Sequence, residues 1–154
     1  MKSATIFVAA ALVSGCAGTE VTRTSQNTMI IEAGAAPVCG ARGAARVAAK
    51  SAAIETIRAG YDRYLIGGAQ SQNNVSVSQM PGTFHTQGSY GGGGYLATTT
   101  YTPGPTIVAG THDRQLAVMM FKNGEPGSEQ ALDAREQLGP DWKDIAERRI
   151  ITCL

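Results

Sequence analysis

Apolar residues recur along the chain with two different spacings, which predict one long helix and several strands. Residues 40–59 are rich in alanine, and the larger apolar residues recur at helical spacing at Val47, Ile54 and Ile57. Gly60 follows at the position where a left-handed residue commonly ends a helix. Short apolar or alternating runs predict strands at 28–31, 63–66, 74–78 and 116–121, and the last of these is expected to be central.

The C-terminal part of the chain predicts two shorter helices. Ser128 is expected to cap the first of them, and Gly139-Pro140 ends it. Asp141 is expected to cap the second, which carries Trp142. Together these elements predict a small α+β domain, with helices on one face of a mainly antiparallel sheet of three to five strands.

Residues 81–111 differ in composition from the rest. They contain four consecutive glycines (91–94), three consecutive threonines (98–100) and Pro103-Gly104-Pro105. Such a stretch has too few apolar residues to form part of a core. The composition predicts a long mobile loop, or a splayed hairpin with a flexible tip, rich in tyrosine.

The N-terminal residues resemble an export signal. Lys2 precedes an apolar run at 4–13 that is too short to span a bilayer, which takes roughly 20 residues. Val13-Ser14-Gly15-Cys16 resembles the lipobox of bacterial lipoproteins. The resemblance implies a signal peptide at 1–15 and a lipid on Cys16 that anchors the chain in the membrane. The small polar residues that follow predict a flexible tether at 16–27, and the remaining length is enough for a single domain at 28–154. An ordinary secretory signal cut near Ala17 is the alternative.

The charge of the chain argues against a nucleic-acid partner. Without residues 1–15, Lys and Arg number 12 and so do Asp and Glu, and no basic cluster stands out. The expected partners are therefore the membrane, reached through the lipid on Cys16, and another envelope protein or the cell wall. By analogy with the known lipoprotein sorting rule, Ala17 after the cysteine favours the outer membrane, on its periplasmic face.

Two cysteines remain once Cys16 carries a lipid. Cys39 and Cys153 form an even pair in an oxidising compartment, which predicts a disulfide. Closing so long a loop stabilises by roughly 4–5 kcal/mol in the chain-entropy description. Two free buried thiols or a redox-active pair are the other possibilities, although no Cys-x-x-Cys motif is present.

Two further segments resemble a family of short alphaproteobacterial lipoproteins of unassigned function. The first is Ala-Gly-Tyr-Asp-Arg-Tyr-Leu-Ile at 59–66, after an alanine-rich helix. The second is the closing strand, turn and helix at 119–138, with Asp133-Ala134-Arg135-Glu136. The resemblance implies a small α+β envelope lipoprotein and supplies no catalytic residues and no cofactor.

No motif in the sequence indicates catalysis. The glycine run at 91–94 lacks the Lys-Ser/Thr of a phosphate-binding loop, and no Gly-x-Ser-x-Gly element occurs. His85, His112 and Asp113 offer a weak alternative as metal ligands. We therefore expect a non-catalytic envelope lipoprotein with a structural or interaction role, whose contact surface includes Tyr90, Tyr95 and Tyr101. A periplasmic small-ligand or metal-binding module is the alternative.

Overall fold

The computed structural model describes residues 17–149 and 151–153, so the predicted signal peptide at 1–15 and the lipidation of Cys16 lie outside the described residues. The strands are β1 (Ala17–Arg23), β2 (Thr28–Ala35), β3 (Arg63–Asn73), β4 (Ser76–Gln79), β5 (Thr83–Gly91), β6 (Gly94–Thr102), β7 (Thr106–Ala109), β8 (His112–Phe121) and β9 (Leu132–Asp133). The helices are α1 (Gly40–Arg58), α2 (Ala134–Leu138) and α3 (Trp142–Arg148), with 3-10 turns at Pro37–Cys39 and Ser128–Gln130.

A five-stranded antiparallel sheet forms the centre of the domain, in the order β1-β2-β8-β3-β9. The strand predicted at 116–121 lies within β8 and is central, because β2 and β3 pair with its two edges. The predicted α+β class is confirmed.

One face of the sheet packs against α1. Along β2, Met29 and Ile31 are buried with Ala33 and Ala35 while the residues between them are not, which is the two-residue period of a strand with one face in the core. Val47 and Ile54 of α1 are fully buried against this face. Each large apolar side chain buried in this way contributes roughly 1.5–3 kcal/mol. The helices α2 and α3 contact α1, so all three helices lie on the same side.

The predicted helix at 40–59 is confirmed as α1, and its C-terminus is the one expected. Gly60 has φ +83°, and its N–H donates to the carbonyl of Ile57. Glycine takes this left-handed conformation without the steric cost that a side chain brings.

The second helix begins at a different residue from the one predicted. Ser128 starts a 3-10 turn instead, and Asp133 is the N-cap of α2. The Asp133 Oδ1 accepts hydrogen bonds from the backbone N–H groups of Arg135 (2.9 Å) and Glu136 (3.1 Å). Aspartate is as good an N-cap as serine, and here the chain turns into the helix five residues later than the serine suggested.

Asp62 connects α2 to the start of β3. The backbone N–H of Asn123 donates to its carboxylate, and the Arg135 guanidinium lies 2.8 Å from the other oxygen. These two hydrogen bonds, the one from Asn123 first, hold the pKa of Asp62 below its ordinary value. A carboxylate with a lowered pKa stabilises the folded state above the pKa of an unfolded aspartate and loses that effect as the pH falls.

The predicted tether is wrong for the residues that the structure describes. Residues 17–23 form β1, which pairs with β2 along its whole length, from Ala17 opposite Ala35 to Arg23 opposite Met29. Val21 packs against the core cluster. The small polar residues of this segment suggest a tether by composition, but Val21 and the threonines favour a strand at the edge of a sheet.

The structure brings the two predicted disulfide partners together. Cys39 lies at the N-terminus of α1 and Cys153 near the end of the chain, with their Cα atoms 5.7 Å apart and a disulfide bond between them. Gly43, one helical turn after Cys39, leaves the space that the pair occupies, because a Cβ there would overlap Cys39. The pair closes a loop that spans nearly the whole domain.

Reduction of this disulfide is expected to lower the free energy of unfolding by about 2–5 kcal/mol, because it releases the constraint on the unfolded chain. Urea denaturation with and without reductant measures the change. The Cys153→Ser variant is the control, and its midpoint should not respond to reductant. An unchanged midpoint of the native chain on reduction contradicts the prediction.

Candidate functional site

The strands β3 and β8 continue beyond the sheet as one long antiparallel hairpin. We call residues 74–111 of this hairpin the β-arm. Its strands pair as β4 with β7 and β5 with β6, in the register that β3 and β8 already have beyond the bulge at Gly67. The hairpin is interrupted twice, between β3 and β4 and between β4 and β5. A hydrogen bond from Asn74 N to Thr111 O (2.9 Å) bridges the first interruption, and one from Met80 N to Pro105 O (3.0 Å) bridges the second. Neither side carries an extra residue, so the β-arm is a direct extension of the sheet.

The mobile loop predicted at 81–111 is therefore wrong in its secondary structure, and the hairpin alternative matches the fold. Gly92 and Gly93 form the tip, with φ +61° and +91°. Positive φ at both central residues is the requirement of a type I′ turn, the connection that suits the twist of two antiparallel strands. The glycine run that indicated flexibility thus supplies the turn residues of a tight hairpin.

The two faces of the β5–β6 hairpin differ in chemistry. Successive side chains of a strand point to opposite faces. On one face Phe84 stacks against Tyr101, with ring centroids 4.8 Å apart, and Tyr90 stacks against Tyr95 at 5.0 Å. The other face carries mainly hydroxyl, amide and imidazole groups, at Thr83, His85, Gln87, Ser89, Thr98, Thr100 and Thr102. The β5–β6 hairpin therefore has one aromatic face and one mainly polar face, on which Leu96 is the large apolar exception.

Glycine makes room for these rings. The Tyr95 ring lies across Gly88 of the opposite strand, where a Cβ would overlap its ring atoms. The Tyr101 ring lies across Gly82 in the same way. An aromatic ring that covers a cross-strand glycine compensates for the missing side chain and helps to fix the register.

The β-arm buries none of its residues. Tyr90 is 87% exposed, Phe84 72% and Tyr95 58%. The segment from 65 to 115 contains no buried residue. It also contains few groups that repel a neighbouring surface, since residues 64–112 include no Asp, Glu, Lys or Arg. A large exposed apolar patch of this kind typically marks an interaction site.

The structure places the predicted contact residues Tyr90, Tyr95 and Tyr101 together on the aromatic face. It does not bring the alternative metal ligands together. His85 lies opposite Thr100 in the β5–β6 hairpin, whereas His112 lies opposite Asn73 at the base of the β-arm. In the part of the chain that the structure describes, no group of three or more His, Cys, Asp or Glu residues could hold a metal ion.

A shallow groove lies on the face of the sheet that the helices leave open. It has a volume of about 710 Å³, and its floor includes Gly18 and Gly34, paired on neighbouring strands. Some of its polar side chains form hydrogen bonds within the protein. Gln115 donates to Glu32 (2.7 Å), and Asn74 at the base of the β-arm donates to Asp113 (2.5 Å). Sequence reasoning missed this groove because it did not predict β1.

The ionic and amide groups of the groove tie the β-arm to the sheet. Arg114 hydrogen bonds to Ser71 across β8 and β3, and Gln72 donates to Asn74 (2.9 Å). Of these two bonds, the one from Gln72 to Asn74 joins β3 to the base of the β-arm.

Comparisons with known proteins find no match to this chain among protein-family models, curated proteins or solved structures. The resemblance to short alphaproteobacterial lipoproteins therefore stays a prediction. No helix within residues 17–149 is long and apolar enough to cross a membrane.

The contact between Tyr95 and Gly88 can be tested by Gly88→Ala. The added methyl group displaces the ring and loosens the hairpin by about 1 kcal/mol, which corresponds to roughly fivefold faster amide exchange in β5 and β6. Hydrogen-exchange mass spectrometry measures the change.

Gly18→Ala is the matched control, because a Cβ at Gly18 meets no other atom. It should leave exchange in the β-arm unaltered. Equal exchange in Gly88→Ala and in the unsubstituted chain contradicts the proposed packing of Tyr95.

Proposed function

We propose that the protein is a lipid-anchored, non-catalytic interaction protein of the bacterial envelope, and that the β-arm is its contact element. The observation that carries the proposal is the aromatic face of the β-arm, which is exposed and packs against no other element within residues 17–149. Tyrosine suits such a role, because its ring gives contact area at low entropic cost and its hydroxyl forms hydrogen bonds.

The lipobox at 13–16 supports the anchor and the envelope location, with the outer membrane favoured by Ala17. Stable anchoring needs at least two acyl chains, which lipoproteins of this type carry. The anchor would hold a domain whose own surface has little net charge, so the attachment depends on the lipid.

The position of β1 relates the anchor to the β-arm. Ala17, the residue after Cys16, pairs with Ala35, which pairs with His112, which in turn pairs with Asn73. These four residues form one row across the sheet, at the end from which the β-arm leaves. A lipid on Cys16 would therefore attach at the same end, and the β-arm would act near the membrane surface.

Replacing residues 74–111 by Asn-Gly tests whether the β-arm contributes to the stability of the domain. Asn-Gly forms a type I′ turn and can close the hairpin between Asn73 and His112 in the native register. Because the β-arm buries no residue, we expect the melting temperature to change by no more than about 2 °C, measured by circular dichroism. Loss of the cooperative transition contradicts this assignment.

Photo-crosslinking in living cells tests the contact role itself. A photoreactive phenylalanine analogue at position 90 should give adducts of higher mass, because Tyr90 lies at the exposed tip. The same analogue at Glu147, exposed on α3, is the control and should give far fewer adducts. Equal yields at the two positions, or none at position 90, contradict the proposal.

A further inference from the structure

We infer that the partner of the β-arm is the β-arm of a second copy of this chain, and that anchored copies pair edge to edge. In this arrangement the outgoing strands of one copy, β4 and β5, pair with the returning strands of its neighbour, β6 and β7. The inference rests on the proposed function, because it uses the β-arm as the contact element and the lipid to set the orientation of each copy.

Both long edges of the β-arm are free within the described residues. The strands β5 and β6 form a two-stranded sheet, so each has hydrogen-bonding partners on one side only. β9 pairs with β3 only at Arg63 and Tyr64, which leaves the edge of β3 from residue 65 onward unpaired. The free edge of β3 therefore runs on into β4 and β5 as a template for another strand.

The free edges lack the features that normally prevent such pairing. Proteins protect exposed edge strands with charged side chains, prolines or covering segments. β1, at the other edge of the sheet, has charges at Glu20 and Arg23. The β-arm has none, and its prolines lie at 81, 103 and 105, between the strands. Two β-arms can therefore approach closely without charge repulsion.

A second copy supplies the hydrogen-bonding partners that the free edges of an isolated β-arm lack. A two-stranded hairpin without a packed face is marginally stable in water. The nine-residue strands β5 and β6, each about 30 Å long, bury nothing in the domain. Pairing with a neighbour satisfies the free backbone groups and extends the ribbon into a sheet. An uncharged edge offers no electrostatic complementarity to a charged partner, whereas an identical uncharged edge matches it.

The anchor determines how the copies face each other. Copies held by Cys16 in one leaflet would have their β-arms leave the same end of each domain, so neighbouring β-arms point in the same direction. β5 runs toward the tip and β6 runs back from it. The outgoing edge of one copy is thus antiparallel to the returning edge of the next. Each copy uses two different edges, and such heterologous pairing builds rings or open rows.

Cysteine crosslinking of the full chain tests this geometry. Two differently tagged versions are produced together, one with Thr86→Cys and the other with Thr99→Cys, which lie on opposite strands of the hairpin. The native cysteines do not interfere, because Cys39 and Cys153 are paired and Cys16 would carry the lipid. Ala97→Cys and Tyr101→Cys, each produced together with Thr86→Cys, test the registers in which the neighbouring strand is shifted by two residues in either direction. We expect a disulfide between the two versions under mild oxidation.

Crosslinks between two Thr86→Cys chains, in place of the mixed pair, would show a two-fold arrangement and overturn the inference. Glu147→Cys with Thr99→Cys is the matched control and should stay uncrosslinked. Absence of the mixed crosslink at all three registers also overturns the inference. If adducts to another protein then form at position 90, the proposed function stands although the pairing fails.

A charge on the β-arm provides a second measurement on the same assembly. Gln87→Lys places a positive charge on the polar face of every copy, and Gln137→Lys makes the same change on the exposed surface of α2. Native mass spectrometry of the detergent-extracted chain should show loss of the species above one chain for Gln87→Lys only. A chain that is monomeric without substitution, or an equal response of both variants, overturns the inference. Neither residue is buried, so both variants should fold.

Discussion

The antiparallel pairing of β3 with β8 is the interaction on which the rest of the structure depends. At one end of this pair Tyr64 and Met120 are buried beneath α1, and the core forms around them. At the other end the same two strands leave the sheet, in the register that they adopt after the bulge at Gly67, and become the β-arm. The core thus fixes the direction of a hairpin that it does not cover. The disulfide between Cys39 and Cys153 and the bonds around Asp113 hold the surrounding segments in place.

The buried half of the fold could be predicted from the sequence because burial leaves a pattern. α1 presents Val47 and Ile54 at helical spacing, and β8 has a continuous apolar run in the centre of the sheet. The β-arm could not be predicted in this way, because no face of it is buried. Its apolar residues therefore lack the regular spacing that packing against a core imposes. Its strands depend on register inherited from β3 and β8 and on a turn at Gly92-Gly93. The edge strand β1 was missed for a related reason, since it is only half-buried.

Of the candidate site, the sequence indicates the tyrosines, whose role as a contact surface stays a prediction. The structure places them in ring pairs on one face, with Gly82 and Gly88 beneath two of the rings. The sequence does not show that His85 and His112 are far apart. Their separation follows from the strand pairing, which places His85 opposite Thr100 and His112 opposite Asn73. The proposed location rests on the resemblance of residues 13–16 to a lipobox, and the row from Ala17 to Asn73 begins directly after that segment.

We propose that the β-arm is an ordered hairpin whose free edges pair with a second copy of the chain. Hydrogen exchange of the full chain in detergent, followed from high to low protein concentration, tests it most directly. We expect the amides of β5 and β6 to exchange slowly at high concentration and at least tenfold faster after dilution, while the amides of α1 stay unchanged. Exchange in β5 and β6 at the rate of an unstructured chain, at every concentration, would contradict the account.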